Sequence, residues 1–154
     1  MKNLIGYIKE GLKITSKTKI NKYNYHPKTE KELHYLLKQL IEERGNEGDF
    51  NDIDTSEITD MSHLFKGIKE FNGDISNWDV SNVTNMSWMF YFCYNFNKDI
   101  SNWDVSNVTD MSFIFYDCNK FNQDISNWDV SKVKYNDNIF LICPIEEKYK
   151  PKFK

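Results

Sequence analysis

Residues 71–95 have the sequence FNGDISNWDVSNVTNMSWMFYFCYN, and residues 96–120 follow with FNKDISNWDVSNVTDMSFIFYDCNK. The two stretches are identical at eighteen of 25 positions. Residues 121–145 keep FNxDISNWDVSxV and then diverge, whereas residues 46–70 form an earlier and more divergent copy. The sequence therefore predicts four 25-residue units between residues 46 and 145. A fixed period of this length is typical of repeat proteins, whose units pack only on their neighbours.

Apolar residues recur at the same places in successive units, and we expect stacking of the units to bury them as continuous columns. The columns are Ile75/Ile100/Ile125, Trp78/Trp103/Trp128, Val80/Val105/Val130, Val83/Val108/Val133, Met61/Met86/Met111 and Phe65/Phe90/Phe115/Phe140. The alternating segment Asn-Trp-Asp-Val predicts a short strand in each unit, and the stacked strands a narrow parallel sheet. Met-Ser-x-x-Phe-x-x-Cys has apolar residues three or four apart, which favours a short helical or 3₁₀ turn.

The ends of such a stack need covering. Thr29 followed by Glu32 resembles a capping box, and apolar residues recur at helical spacing from Leu33 to Ile41 before Gly45. We therefore predict a capping helix over about 29–44. The predicted divisions are an N-terminal segment with this helix (1–45), four units (46–70, 71–95, 96–120, 121–145) and a C-terminal cap and tail (146–154).

The repeat FNxDISNWDVSNVTxMSxxFxxC resembles the bacterial surface-protein repeat of the BspA-like leucine-rich-repeat proteins. The resemblance covers roughly residues 46–145. Val-Thr-x-Met-Ser-x-x-Phe-x-x-Cys-x-x-Phe is similar to that family's Val-Thr-x-Ile-Gly-x-x-Ala-Phe-x-x-Cys-x-x-Leu. The resemblance implies a right-handed solenoid, no catalytic residues, and roles in adhesion or protein recognition. Together with the pattern of the units, it predicts an α/β, leucine-rich-repeat-like solenoid with a narrow parallel sheet and an N-terminal capping helix.

Charge and hydropathy exclude several classes of protein. The chain has 20 basic and 23 acidic residues, a net charge of −3, whereas nucleic-acid-binding proteins usually carry a strong basic excess. No stretch approaches the ~20 apolar residues that span a bilayer. Residues 1–10 lack the roughly 7–15 apolar residues of an export signal, which predicts a cytoplasmic protein. The alternative is a cell-surface or secreted protein, as is common among BspA-like proteins, if a leader has been removed.

Three kinds of residue invite a chemical interpretation. Cys93, Cys118 and Cys143 occupy one unit position, where the first unit has Ile68, so we expect buried packing sites and no metal. The aspartates Asp74/Asp99/Asp124 and Asp79/Asp104/Asp129 lack the glycine-rich context of calcium-binding repeats, and we expect them to cap turns or face solvent. The histidines, His26, His34 and His63, belong to no catalytic motif. We predict no enzyme activity, no cofactor and no small-molecule substrate.

Positions that vary between units are free to contribute to recognition. Trp88 lies off the inward-facing stripe of Met86 and Phe90, so an aromatic strip is predicted along one side of the stack. Its members are Trp88, Tyr91, Phe92, Tyr94, Phe113 and Tyr116. Exposed aromatic patches commonly mark interaction surfaces. The alternative is that some of these rings pack on neighbouring units.

A second predicted surface is the open face of the strands, which would be acidic and rich in amides. It comprises Asn77, Asp79, Asn102, Asp104, Asn127 and Asp129. Two functions stay open: a non-enzymatic protein-interaction or adhesion module, and a structural repeat protein that associates with itself. The expected partner is a protein, either a host protein or a second copy of the chain.

Overall fold

The computed structural model describes residues 22–154, so residues 1–21 of the predicted N-terminal segment lie outside the described residues. One α-helix, α1, spans Glu30–Arg44, where the sequence predicts a helix over about 29–44. A 3₁₀ turn spans Glu147–Tyr149 near the C-terminus. The remaining described residues form turns and extended segments.

The start and end of α1 have identifiable causes. The N–H of Glu32 donates to the Thr29 hydroxyl at 3.2 Å, which satisfies one of the free donors of the first turn. The Glu32 carboxylate accepts from the N–H of Lys28 at 2.6 Å, one residue earlier than a standard capping box predicts. At the other end, Gly45 has a φ of 79°, which favours glycine, and its N–H donates to the Ile41 carbonyl. The apolar face of α1 is buried in the core.

Three short turns bend the chain within each unit. We number the unit from residues 46, 71, 96 and 121. An Asp or Asn at positions 4 and 9 of every unit, and at position 15 of the first three units, accepts a hydrogen bond from the N–H two residues later. In the second unit these bonds join Asp74 to Ser76, Asp79 to Ser81 and Asn85 to Ser87. Such side-chain bonds replace those of a helix or strand. The residue in the middle of each turn points into the core: Ile75, Val80 and Met86 are buried.

Aromatic rings stack through the core in columns. Phe65, Phe90 and Phe115 lie with ring centroids 5.5 Å apart at each step. A second column, Phe71, Phe96 and Phe121, repeats at 6.0 and 5.8 Å. The column of buried tryptophans is fixed by hydrogen bonds, because each indole N–H donates to a backbone carbonyl 28 residues earlier. Burial of the predicted apolar columns is thus confirmed, with Val133 and Phe140 of the last unit only partly buried.

A ladder of backbone hydrogen bonds joins each unit to the next. The N–H groups at positions 16, 18, 20 and 22 donate to carbonyls at positions 15, 17, 19 and 21 of the following unit. In the second unit the donors are Met86, Trp88, Phe90 and Phe92, at 2.9–3.0 Å. Positions 18 and 22 have positive φ in all four units. This alternation of backbone conformation directs every second N–H toward the neighbouring unit.

The predicted α/β solenoid class is wrong, because its defining parallel sheet is absent from the described residues. Parallel pairing between units occurs only as isolated bridges, such as Asp60 with Asn85 and Asn85 with Asp110. The segment Asn-Trp-Asp-Val forms no strand, because its aspartate already accepts a turn hydrogen bond. The right-handed, leucine-rich-repeat-like solenoid that the resemblance implies is wrong for the same reason.

The helical or 3₁₀ turn predicted within each unit is also wrong. In the segment that begins at Met86, alternate N–H groups donate to the next unit, and others bond three residues back along the same unit, as in Met89 to Met86. The result is a series of turns with left-handed residues in place of a helix.

The C-terminal residues cover part of the last unit. The N–H of Ile125 donates to the carbonyl of Tyr149, and the N–H of Glu146 donates to the side chain of Asn122. Ile145 and Pro151 are buried. The tail therefore packs against the side of the last unit formed by residues 122–126.

Candidate functional site

The candidate site is a surface of aromatic side chains on the second and third units, which we call the aromatic surface. It comprises Trp88, Tyr91, Phe92, Tyr94, Phe113 and Tyr116. All six side chains are half-buried, whereas their neighbours Met89, Phe90 and Cys93 are fully buried. The left-handed backbone at positions 18 and 22 turns these rings away from the core.

The structure brings the predicted rings together into one continuous surface. Trp88 stacks on Phe113 of the next unit with centroids 4.4 Å apart, and Tyr91 stacks on Tyr116 at 4.9 Å. Within a unit, Trp88 lies 4.6 Å from Tyr91, and Tyr91 lies 4.2 Å from Phe92. The predicted alternative is therefore partly right, because these rings pack on neighbouring units as well as facing solvent.

Two lysines and a histidine of the first unit extend the aromatic surface. The Lys66 ammonium lies 4.5 Å from the Trp88 ring centroid and 5.4 Å from that of Tyr91. Lys69 lies 5.5 Å from the Tyr94 ring, and the His63 ring stacks on Trp88 at 5.9 Å. A cation over an aromatic face contributes about 0.5–1 kcal/mol at an exposed site. The sequence pattern does not identify these residues as site members, although Lys66 and His63 occupy the same variable positions as Tyr91 and Trp88.

Bulky residues occupy a strained backbone conformation at this surface. Trp88, Phe92 and Phe113 have φ values of 62°, 60° and 58°, in the left-handed region that costs a non-glycine residue on the order of 1–2 kcal/mol. The first unit has Gly67 at position 22, and the last has Asn138 at position 18, both of which adopt this conformation more readily. The hydrogen bonds to the next unit hold the conformation in place. At positions 18 and 22, tryptophan and phenylalanine therefore occur only in the two units that form the aromatic surface.

A shallow cavity of about 290 Å³ lies between α1 and the first unit, next to the aromatic surface. Leu37 and Ile41 of α1 face Leu64 and Ile68, and Lys66 belongs both to this cavity and to the aromatic surface. The two features therefore form adjoining parts of one side of the molecule.

The second predicted surface exists as exposed residues but not as a strand face. Its six members, Asn77, Asp79, Asn102, Asp104, Asn127 and Asp129, are all exposed. Asp79, Asp104 and Asp129 each accept the N–H of the serine two residues later, so they are turn residues. The hydroxyl of Ser106 and, to a smaller extent, its N–H donate hydrogen bonds to Asp104, and these bonds lower the pKa of Asp104.

The cysteines occupy packing positions. Burial raises the pKa of Cys93 and Cys118 well above the ordinary value, and raises the pKa of Cys143 to about 11. The thiols of Cys93 and Cys118 donate to the backbone carbonyls of Phe65 and Phe90. Since the thiolate is the reactive form, none of the three is suited to nucleophilic chemistry at neutral pH.

Residues 22–154 contain neither a metal-binding cluster nor a membrane-spanning helix. No group of three or more His, Cys, Asp or Glu side chains in this range is placed to hold a metal ion. None of the helices in the range has the length and apolar character needed to cross a bilayer.

Comparison with known proteins identifies a family. A family model described as "Mycoplasma protein of unknown function, DUF285" matches residues 33–149. The matched range includes most of α1, all four units and the 3₁₀ turn. No curated protein and no solved structure matches the chain significantly.

Proposed function

The chain belongs to the DUF285 family of Mycoplasma proteins. We propose that it is a non-enzymatic module that binds another protein through the aromatic surface. We propose also that the chain is related to the BspA-like surface repeats, which its repeat sequence resembles. The proposal includes the role in protein recognition or adhesion that this resemblance implies.

One observation supports this function above the others: large aromatic side chains are kept where the backbone favours glycine or asparagine. Strained residues of this kind cluster at functional sites, and the inference proceeds from the observed strain to a function. Trp88 and Phe113 contribute little to the core, since the buried columns at positions 16 and 20 continue without them. Their retention at the surface is explained by contact with a partner.

The nature of the surface favours a protein partner over a sugar. The faces of Trp88 are occupied by Phe113 on one side and by His63 and Lys66 on the other. A sugar ring stacks on an open aromatic face, and Trp88 presents its edges instead. Aromatic residues are enriched in the centres of protein interfaces, where they supply large contact areas.

The exposed amides and carboxylates of Asn77, Asp79, Asn102, Asp104, Asn127 and Asp129 do not support the binding function equally. The aspartate oxygens already accept hydrogen bonds within turns, and Asn127 donates to the carbonyl of Ser101. These contacts account for the three aspartates and for Asn127 without a partner.

The test is a quantitative pull-down with three baits: the native chain, Trp88→Asn/Phe113→Asn, and Asn102→Ala/Asn127→Ala. Asparagine suits the left-handed backbone and occurs naturally at position 18 as Asn138, so the first variant keeps the fold. Both the lysate of the source cells and an extracellular-matrix extract serve as prey. We expect a protein that the native chain and the Asn102/Asn127 variant retain and the Trp88/Phe113 variant loses by tenfold or more, a loss of about 1.4 kcal/mol or more in binding.

Equal capture by all three baits contradicts the proposal. Selective loss with the Asn102/Asn127 variant also contradicts it, and transfers the binding site to the second surface. The prey mixture that yields the partner identifies the compartment in which the protein acts.

A further inference from the structure

The last unit ends in a row of backbone donors, which we call the open edge, residues 135–142. The N–H groups of Asn136, Asn138, Phe140 and Ile142 correspond to the four donors that every earlier unit uses to bind the next unit. None of these four donates to another residue within the described range 22–154. A row of unpaired N–H groups is a template for pairing with another chain.

The three junctions between units show what such an edge binds. At the last junction, Met111, Phe113, Phe115 and Asp117 donate to the carbonyls of Tyr135, Asp137, Ile139 and Leu141 at 2.8–3.1 Å. The bound segment runs parallel to the edge and presents every second carbonyl to it. The same arrangement recurs at both earlier junctions. The open edge is therefore the continuation of an established interface.

The open edge is already in the binding conformation. Asn138 and Ile142 have φ values of 49° and 57°, as at the occupied junctions, although no following unit holds them there. The side chains of Tyr135, Leu141 and Ile142 are 60%, 47% and 59% exposed, and among described residues only Tyr35 is another large hydrophobic side chain so exposed. The C-terminal tail covers the 122–126 side of the last unit and reaches the ring of Phe140 through Lys150, whereas Tyr135, Leu141 and Ile142 stay exposed.

Charge at this end of the molecule indicates which segment would bind. Residues 132–154 contain six lysines and three acidic residues, although the chain as a whole is acidic. Lys134 directly precedes the open edge, and the Lys150 ammonium lies 5.6 Å from the ring of Phe140 within it. An acidic segment would meet complementary charge there.

We propose that the open edge binds an extended, acidic segment of a partner polypeptide. The segment runs parallel to residues 135–142, and alternate carbonyls accept from Asn136, Asn138, Phe140 and Ile142. Its apolar side chains contact Tyr135, Leu141 and Ile142, and a carboxylate faces Lys134. This is the peptide-addition mode of recognition, in which backbone hydrogen bonds supply affinity and side-chain contacts supply specificity. The site is separate from the aromatic surface, so it does not depend on the function proposed above.

The test is amide hydrogen exchange of the full chain, measured by NMR with the capped peptide TDMSFIFYD. This peptide has the sequence of residues 109–117, the segment that occupies the edge of the second unit, and carries an aspartate near each end. At a peptide concentration ten times the dissociation constant, we expect exchange at Asn136, Asn138, Phe140 and Ile142 to slow about tenfold. The alternate amides of Asp137 and Leu141 should not change. A peptide with both aspartates replaced by asparagine should bind more weakly.

Matched variants locate the binding at the open edge. Leu141→Asp/Ile142→Asp should abolish the effect, because both side chains are exposed and the change adds like charge facing the peptide. Tyr35→Asp, an exposed apolar residue on α1, should leave it intact. Trp88→Asn/Phe113→Asn should also leave it intact, so that failure of this site and failure of the aromatic surface are distinguishable.

Four outcomes overturn the proposal: no slowing at millimolar peptide, equal slowing with a scrambled peptide, slowing spread over both odd and even residues, and slowing that appears with protein concentration alone. The last outcome identifies a second copy of the chain as the occupant.

Discussion

At the scale of single residues, the left-handed positions distinguish this chain from a simple stack of turns. Position 18 is His63, Trp88, Phe113 or Asn138, and all four have positive φ. A hydrogen bond to the next unit fixes the first three, so the ladder determines the backbone and leaves the side chain free to vary. Side-chain identity at this position is therefore not determined by the backbone ladder.

Ile142 offers a direct measure of the conformational cost. It is a β-branched residue with φ of 57° and a side chain that is 59% exposed, so strain is not offset by burial. We expect Ile142→Asn to raise the free energy of unfolding by about 1 kcal/mol, since asparagine tolerates this conformation. Urea denaturation measures the change. Leu141→Asn, at an exposed neighbour with ordinary φ, serves as control, and an equal gain there would contradict this role of the backbone.

At the scale of elements, the sequence predicts the helix far better than the strand. Thr29 and Gly45 determine the ends of α1 through local contacts with Glu32 and Ile41, and local contacts are visible in sequence. The alternation of polar and apolar residues in Asn-Trp-Asp-Val is typical of a strand, yet no strand forms there. There the aspartate bonds the serine two residues on, which bends the chain before a strand can form. The sequence signal for these turns is the recurrence of Asp or Asn two residues before Ser.

Removal of the α1 cap tests that local contact. We expect Thr29→Ala to lower the free energy of unfolding by about 1 kcal/mol, because the N–H of Glu32 loses its acceptor. Thr29→Ser keeps the hydroxyl and should stay within a few tenths of a kcal/mol of the native chain. The midpoints of chemical denaturation provide the comparison. An unchanged Thr29→Ala variant would mean that the bond between Lys28 and Glu32 is sufficient to start the helix.

At the scale of the whole molecule, the repeated turns make the free energy of unfolding depend on pH. The N–H of Ser76 lowers the pKa of Asp74, and the hydroxyl and N–H of Ser101 lower that of Asp99. A carboxylate whose pKa is lower in the folded state stabilises the fold above its unfolded pKa of about 3.9. That contribution is lost as the pH falls through the folded value.

Thermal unfolding from pH 6 down to pH 2.5 tests this linkage. We expect the native chain to lose stability below about pH 4, and Asp74→Asn/Asp99→Asn to lose less. Asparagine still accepts the turn hydrogen bond, as Asn85 does, but does not titrate in this range. Glu43→Gln, at an exposed position on α1 outside the turns, should follow the native curve. Parallel curves for the native chain and the double variant would contradict the prediction.

The sequence reveals the buried columns because identical residues at a fixed period must meet. It does not reveal the candidate site as readily. Trp88 and Phe113 are predictable from their variability between units, whereas the contacts of Lys66 and Lys69 depend on how adjoining units are offset. The left-handed conformation of Trp88 is also invisible in sequence, because tryptophan rarely adopts it.

The direction of the backbone ladder has a consequence for how the molecule comes apart. Every inner unit is held by its own donors on one side and by its predecessor's donors on the other. The four ladder donors of the last unit have no partner within residues 22–154, and the tail bonds only the 122–126 side of that unit. In a linear array of coupled units, the unit with the fewest bonds opens first and exposes the next. We therefore expect unfolding to start at the last unit and to proceed one unit at a time toward α1. A fifth unit inserted before residue 121 would lengthen the array but leave the contacts of the last unit, and hence the site where unfolding starts, unchanged.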